Sequence, residues 1–188
     1  MTNAQFGAFL KATGYAYDEK LPRGKDDHPV VNVNWAAAAA FCAWAAQTSG
    51  QPVRLPTEGE FEKAARGTDG RTYPWGEQQP DRQLCNFNEL FSGTTPVGQF
   101  SPKGDSPYGC TDLAGNVWEW CVNGWDRHAL DKNPGPNPQG TVVGKYRVVR
   151  GGSWLVNPSD VRTTCRNGRS DDFRNGNLGF RASLLQTS

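Results

Sequence analysis

Five cysteines (Cys42, Cys85, Cys110, Cys121, Cys165) and two histidines (His28, His128) are the residues of this 188-residue chain best suited to nucleophilic or soft-metal chemistry. Their spacing serves neither purpose. No two cysteines form a C-x-x-C pair, their number is odd, and the histidines lie far apart with no zinc-like spacing. No G-x-S-x-G, H-E-x-x-H or phosphate-loop pattern occurs. Cysteines so distributed read as small apolar residues in a reduced compartment. A different chemistry, recognition, is suggested further along. Arg147-Val148-Val149-Arg150-Gly151-Gly152-Ser153-Trp154 and Gly179-Phe180-Arg181 bracket a stretch, Leu155 to Leu178, rich in Asn, Gly, Asp, Ser and Arg. That stretch has neither a helical nor a strand period, which is loop composition. A long loop pinned at both ends is where binding or catalytic groups usually sit.

The elements that must position this loop come earlier in the chain. Thr2 to Gly14 reads as a capped helix with Phe6, Phe9 and Leu10 on one face. His28 to Val33 is extended and leads to Asn34, the N-cap of an Ala-rich helix from Trp35 to Ser49 that ends at Gly50. Its larger core candidates are Trp35, Phe41, Cys42 and Trp44. Arg54-Leu55-Pro56 is a short extended piece, and Thr57-Glu58-Gly59-Glu60 is a capping box that starts a helix Glu58–Arg66 closed by Gly67. Short strands and turns follow. The expectation is an α+β fold with two or three helices first, short twisted antiparallel sheets after, and much irregular loop, all in one domain over residues 1–188. The net charge of +1 gives no field that would imply nucleic acid or a membrane surface. No apolar run reaches the roughly 18–20 residues of a membrane span, and the N-terminus does not read as a signal peptide. A cytoplasmic location is the default expectation, with surface display as the alternative.

The motifs Thr2-Asn3-Ala4-Gln5-Phe6, His28-Pro29-Val30, Arg54-Leu55-Pro56-Thr57-Glu58, Tyr73-Pro74-Trp75-Gly76, Asp112-Leu113-Ala114-Gly115-Asn116-Val117-Trp118-Glu119-Trp120, Arg150-Gly151-Gly152-Ser153-Trp154 and Gly179-Phe180-Arg181 run in order through nearly the whole chain. Together they resemble the formylglycine-generating enzyme and its sulfatase-modifying-factor relatives, a subclass of the C-type lectin fold. Family members carry a strand or two before the T-N-x-x-F helix, whereas this chain opens inside that motif. The resemblance implies that oxidase members hold copper on two cysteines five apart after R-G-G-S-[YW]. Those positions are Val156 and Val161 here, and neither side chain binds a metal. The expectation is therefore no copper and a non-enzyme on the family scaffold.

A compositional gap sharpens that expectation. Residues 1–154 hold thirty Lys, Glu, Gln, Met and Trp residues, a frequency at which about six would fall in Leu155–Leu185, and that stretch holds none. An Asn codon altered only at its adenines cannot reach any of those five residue types, yet it reaches Leu, Val, Ser, Asp, Cys, Gly, Arg and Phe. This resembles the variable proteins of diversity-generating retroelements, in which Asn-rich codons between R-G-G-S-W and G-F-R are rewritten. The implied role is ligand binding, with a protein as partner, through Leu155, Val156, Ser159, Asp160, Cys165, Gly168, Ser170, Asp171, Phe173, Gly176 and Leu178. Leu155, Val156, Phe173 and Leu178 would form an apolar patch. Trp154, Phe180 and Leu184 would be apolar anchors, and Arg162, Arg166, Arg174 and Arg181 would tie the loop to carbonyls and carboxylates. Two alternatives stay open: an ordinary binding relative whose loop simply favours small polar residues, and an enzyme with an unmarked site.

The resemblance also implies a structural calcium, held by the carboxylates of Asp112 and Glu119 and the carbonyls of Gly115 and Val117. The alternative is a packed turn with Glu119 paired to an arginine. A second family calcium position would map near Asn86-Phe87, where the loop that follows is shortened.

Overall fold

The computed structural model describes residues 1–126, 128 and 144–184. Three helices form where their caps predict: α1 (Asn3–Thr13), α2 (Trp35–Ser49) and α3 (Glu58–Arg66). Thr2 and Thr57 each close a reciprocal capping box, with Gln5 and Glu60 respectively, and the Asn34 side chain accepts the Ala37 N–H at 2.9 Å. Each box satisfies two backbone N–H groups that would otherwise lack partners at the helix start.

Six strands follow the order β1 (Val53–Arg54), β2 (Trp118–Gly124), β3 (Tyr146–Arg150), β4 (Arg166–Ser170), β5 (Leu178–Phe180) and β6 (Ser183–Leu184). The main sheet has the order β4-β3-β2-β5, and β1 pairs with β6 in a small second sheet. The all-antiparallel expectation needs correction, because β5 runs parallel to β2 with Trp118 opposite Leu178 and Trp120 opposite Phe180. A second correction concerns the loop. Its middle is a strand, β4, paired antiparallel with β3 over five residues from Tyr146↔Ser170 to Arg150↔Arg166. The β4 residues Arg-Asn-Gly-Arg-Ser carry no apolar alternation because β4 is an edge strand held by its backbone ladder, so no period was there to read.

The core is aromatic. Phe6, Phe9, Phe41, Trp120 and Phe180 are buried in one cluster, with Phe41 and Phe180 ring centroids 5.3 Å apart. Each such side chain stabilises the fold by roughly 1.5–3 kcal/mol relative to exposure. Two smaller clusters gather Phe61, Leu113, Cys121 and Val148, and Tyr73, Cys85, Phe87, Ala114 and Val161. The expected anchor Leu184 is instead 64% exposed, because β6 lies at the edge of a two-stranded sheet. All five cysteines are free thiols, and burial pushes Cys42 and Cys85 up to about 12. Among the described residues, no helix is long and apolar enough to cross a membrane.

Candidate functional site

Strand β3 ends in the device that shapes the long stretch. Arg150 is fully buried, and its guanidinium donates to three successive carbonyls: Thr163 at 2.9 Å, Thr164 at 3.1 Å and Cys165 at 2.6 Å. It also donates to Glu62 Oε2 at 2.8 Å. Five donors in a planar fork make arginine suited to such a task. Just beyond, Gly152 has φ +76°, and a Cβ there would lie 2.6 Å from the carbonyl oxygen of Asp160. The chain can therefore fold back on itself only over a glycine.

Most other holds on the stretch are also made by main-chain atoms. The N–H groups of Asn88 and Glu89 donate to the carbonyls of Val156 (2.9 Å) and Trp154 (2.7 Å), and Thr163 N–H donates to Thr72 (2.9 Å). Trp35 N–H reaches the Asp171 carbonyl, and Asn32 N–H the Asn175 carbonyl, each at 3.0 Å. From Leu155 to Leu178 the buried residues are Val161, Thr163 and Leu178; every other one is exposed or partly so.

The expected surface residues divide accordingly. Leu155 is 42% exposed, and Ser159 and Gly176 are exposed. Asp160, Cys165, Ser170 and Asp171 are half-buried, as are Val156 and Phe173, which pack on the main core. Cys165 Sγ lies 4.0 Å from Asp160 Oδ1, and burial followed by that carboxylate raises its pKa. Two members of the set are corrected. Leu178 is 1% exposed, locked in β5 against Trp118. Gly168 is covered by the indole of Trp125, which a Cβ would approach to 2.4 Å. The imagined patch of four apolar side chains therefore reduces to Leu155 at the surface, with Val156 and Phe173 half-sunk. Three of the four arginines tie the stretch to other elements, Arg166 to Glu58, Arg174 to Asp18 (3.7 Å) and Arg181 to Glu119, whereas Arg162 donates to the Ser159 carbonyl (2.8 Å) within the stretch itself.

The implied calcium residues meet in part. Asp112, Val117 and Glu119 line one cavity of about 180 Å³, whereas Gly115 lies outside it. Arg181 grips both oxygens of Glu119, through Nη2 to Oε1 at 2.7 Å and Nε to Oε2, and also donates to the carbonyls of Thr111 and Asp112. Burial opposes the charge on Arg181, but Glu119 outweighs it and the pKa is raised. Two carboxylates beside one cavity are hard-oxygen groups of the kind calcium takes, here with both Glu119 oxygens held by Arg181 and the Met1 ammonium lining the same cavity. Among the described residues, no cluster of three or more His, Cys, Asp or Glu stands in position to hold a metal.

With this geometry established, comparison places the chain. The model of the sulfatase-modifying factor enzyme 1-like domain matches residues 1–184. The formylglycine-generating enzyme of Streptomyces coelicolor is 38% identical, over 97% of this chain and 75% of its own. The chain belongs to the sulfatase-modifying factor family. Two solved structures share the fold: PvdO from Pseudomonas aeruginosa (TM-score 0.84, 23% identity, 98% of this chain and 77% of that one) and Treponema denticola variable protein 1 (TM-score 0.78, 24%, 97% and 81%). The α+β, C-type lectin-like reading is thus confirmed.

Family membership corrects the expectation of a non-enzyme. A relative this similar is named as an enzyme, so the replacement of one cysteine pair by Val156 and Val161 bears on that one chemistry and not on catalysis as such. Sequence reasoning also missed residues beside the stretch. Tyr17, Leu21, Pro22 and Val31 form a cleft of about 300 Å³ with Trp154 and Gly176, and the turn at Asn88-Glu89 braces Trp154 and Val156. Both of those turn residues have positive φ, +48° and +58°, which the asparagine takes readily and the glutamate does not signal.

Proposed function

We propose that this family member recognises a protein ligand through the exposed positions of Leu155–Gly176, as a variable protein of a diversity-generating retroelement. The observation that carries the reading is the Arg150 clamp, which grips carbonyls 163–165, atoms that every residue type supplies. Side chains on a segment held this way can change while its path persists, since surface substitutions move stability by about 0.5 kcal/mol or less. The missing Lys, Glu, Gln, Met and Trp in 155–185 support the same reading, as does a fold shared with a variable protein. The exposed set mixes apolar Leu155 with charged Arg162 and Asp172, a composition suited to a protein surface. Sequencing the locus tests the reading. A near-copy of the C-terminal coding segment, differing at adenines and beside a reverse transcriptase gene, is expected; no such copy, with an invariant stretch across isolates, rejects it.

The relatives' names favour a second reading, an enzyme of the family whose reacting groups lie elsewhere than at Val156 and Val161. Formation of formylglycine in a sulfatase-derived peptide incubated with the protein would establish it. Copper held by thiolates at those two positions forms no part of either reading.

Calcium is proposed as a structural ligand of the cavity between Asp112, Val117 and Glu119. At calcium ten times its dissociation constant, melting should rise by about 3–5 °C over the same protein in EDTA. A melting temperature indifferent to both conditions rejects the site.

A further inference from the structure

Within the stretch, strand β4 is built as framework. Arg166 donates to both oxygens of Glu58, from Nε at 2.6 Å and Nη2 at 2.8 Å, and its Nη1 reaches the Asp126 carbonyl at 3.1 Å. Its guanidinium lies 4.5 Å over the Trp125 ring. Two residues along, on the same face of the strand, Gly168 meets that ring again: a Cβ would come within 2.4 Å of Cγ and 2.5 Å of Cδ2. These atoms belong to the root of the indole, so a small rotation cannot make room. Trp125 is itself anchored through its N–H to the Tyr146 carbonyl at 2.8 Å. One ring thus covers two positions of β4, one needing a cation and the other needing no side chain.

We infer, resting on the function proposed above, that ligand specificity is written at Leu155, Ser159, Arg162, Thr164, Asp172 and Asn175, while Arg166 and Gly168 stay constant. The six are exposed and lie in two runs on either side of β4. Recognition is then split between two surface patches joined by a strand that is not itself rewritten.

Two surface-display libraries of the full chain test this, one randomised at the six positions and one at Arg166 and Gly168, each scored by protease-resistant clones. The second should yield about tenfold fewer folded clones, the ratio that an overpacking cost of about 1.4 kcal/mol gives. Because such variants can fail for many reasons, Gly168→Val is also paired with Trp125→Ala, and Arg166→Lys is compared with Arg166→Glu. Partial recovery is expected in the first pair and for the lysine over the glutamate, and none when Gly168→Val is paired with Trp35→Ala. Gly168 variants that fold as often as Leu155 variants, no recovery of Gly168→Val by Trp125→Ala, or equal folding of Arg166→Lys and Arg166→Glu overturns the framework assignment. Sorting the six-position library on lysozyme should give binders; a library that folds and yields none overturns the assignment of specificity to those six positions. Collapse of the six-position library would instead reject the proposed function while leaving the β4 contacts standing.

Discussion

Strand β3 and the stretch that follows it adjoin in sequence and differ in what holds them. In β3 the side chains do the holding: Val148 and Val149 are buried in two different cores, and Arg150 is buried among carbonyls and the Glu62 carboxylate. Past Trp154, the fixed parts of the molecule mostly grip the main chain, through Arg150, the N–H groups of Asn88, Glu89, Asn32 and Trp35, and the β3–β4 ladder. Where side chains hold, each residue type is constrained; where the backbone is held, most are free. That difference lets one domain keep an unchanging core and a surface that can be rewritten.

The largest effect expected from breaking this arrangement lies at its joint. Arg150→Met leaves three carbonyls and Glu62 without their buried partner and should cost about 3–5 kcal/mol, enough to unfold much of the population. Chemical denaturation read by tryptophan fluorescence checks it; a loss under about 1 kcal/mol would mean the stretch is held elsewhere. Leu178→Ala comes next, at about 2–5 kcal/mol, since a leucine 1% exposed leaves a cavity when truncated. A shift in denaturation midpoint with the slope unchanged is the expected signature.

The legible parts of the fold were those specified by local rules. Thr2-Asn3-Ala4-Gln5, Asn34 and Thr57-Glu58-Gly59-Glu60 gave helix starts because capping is chemistry between residues a few places apart. Strand β4 was not legible, since an edge strand of Arg, Asn, Gly and Ser pairs through its backbone alone. Nor was the burial of Leu178 or the cover over Gly168. Those depend on Trp118 and Trp125, more than forty residues away, and no local pattern encodes such contacts. At the site, arginines were recognisable as ties and Glu119 as the partner of one, but not which arginine it takes nor that Glu58 takes Arg166, because these residues meet only after folding.

Helix α3 sharpens the comparison through its carboxylates. Glu58 and Glu62 face the frame and hold Arg166 and Arg150, whereas Glu60 pairs with Arg54 nearer the surface. The hydrogen bond from Arg54, against the opposing effect of burial and with help from the Thr57 N–H, lowers the Glu60 pKa below its ordinary 4.5. The stability linked to this ionisation is therefore fully present above pH 4.5 and is lost as pH falls through the lower folded value. Glu60→Gln keeps a capping-box side chain but removes the ionisation, so the variant should lose less stability between pH 5 and about pH 3. With the pair half-exposed, the difference should stay under about 1 kcal/mol. Melting curves across that range decide it, and parallel pH profiles would show that the pair contributes nothing.

The smallest expected effect tests the comparison most directly. Leu155 and Leu178 are the same residue type at opposite ends of one stretch, 42% and 1% exposed. If Leu155 is held through its backbone, whose N–H donates to Ser153 Oγ at 3.4 Å and whose neighbours' carbonyls take Asn88 and Glu89, its side chain does little for the fold. Leu155→Ser should then shift stability by about 0.5 kcal/mol or less, against several for the truncation at Leu178. Equal losses at the two leucines would mean that Leu155 packs as a core residue does, and the division between a side-chain-held frame and a backbone-held surface would fail at its most exposed point.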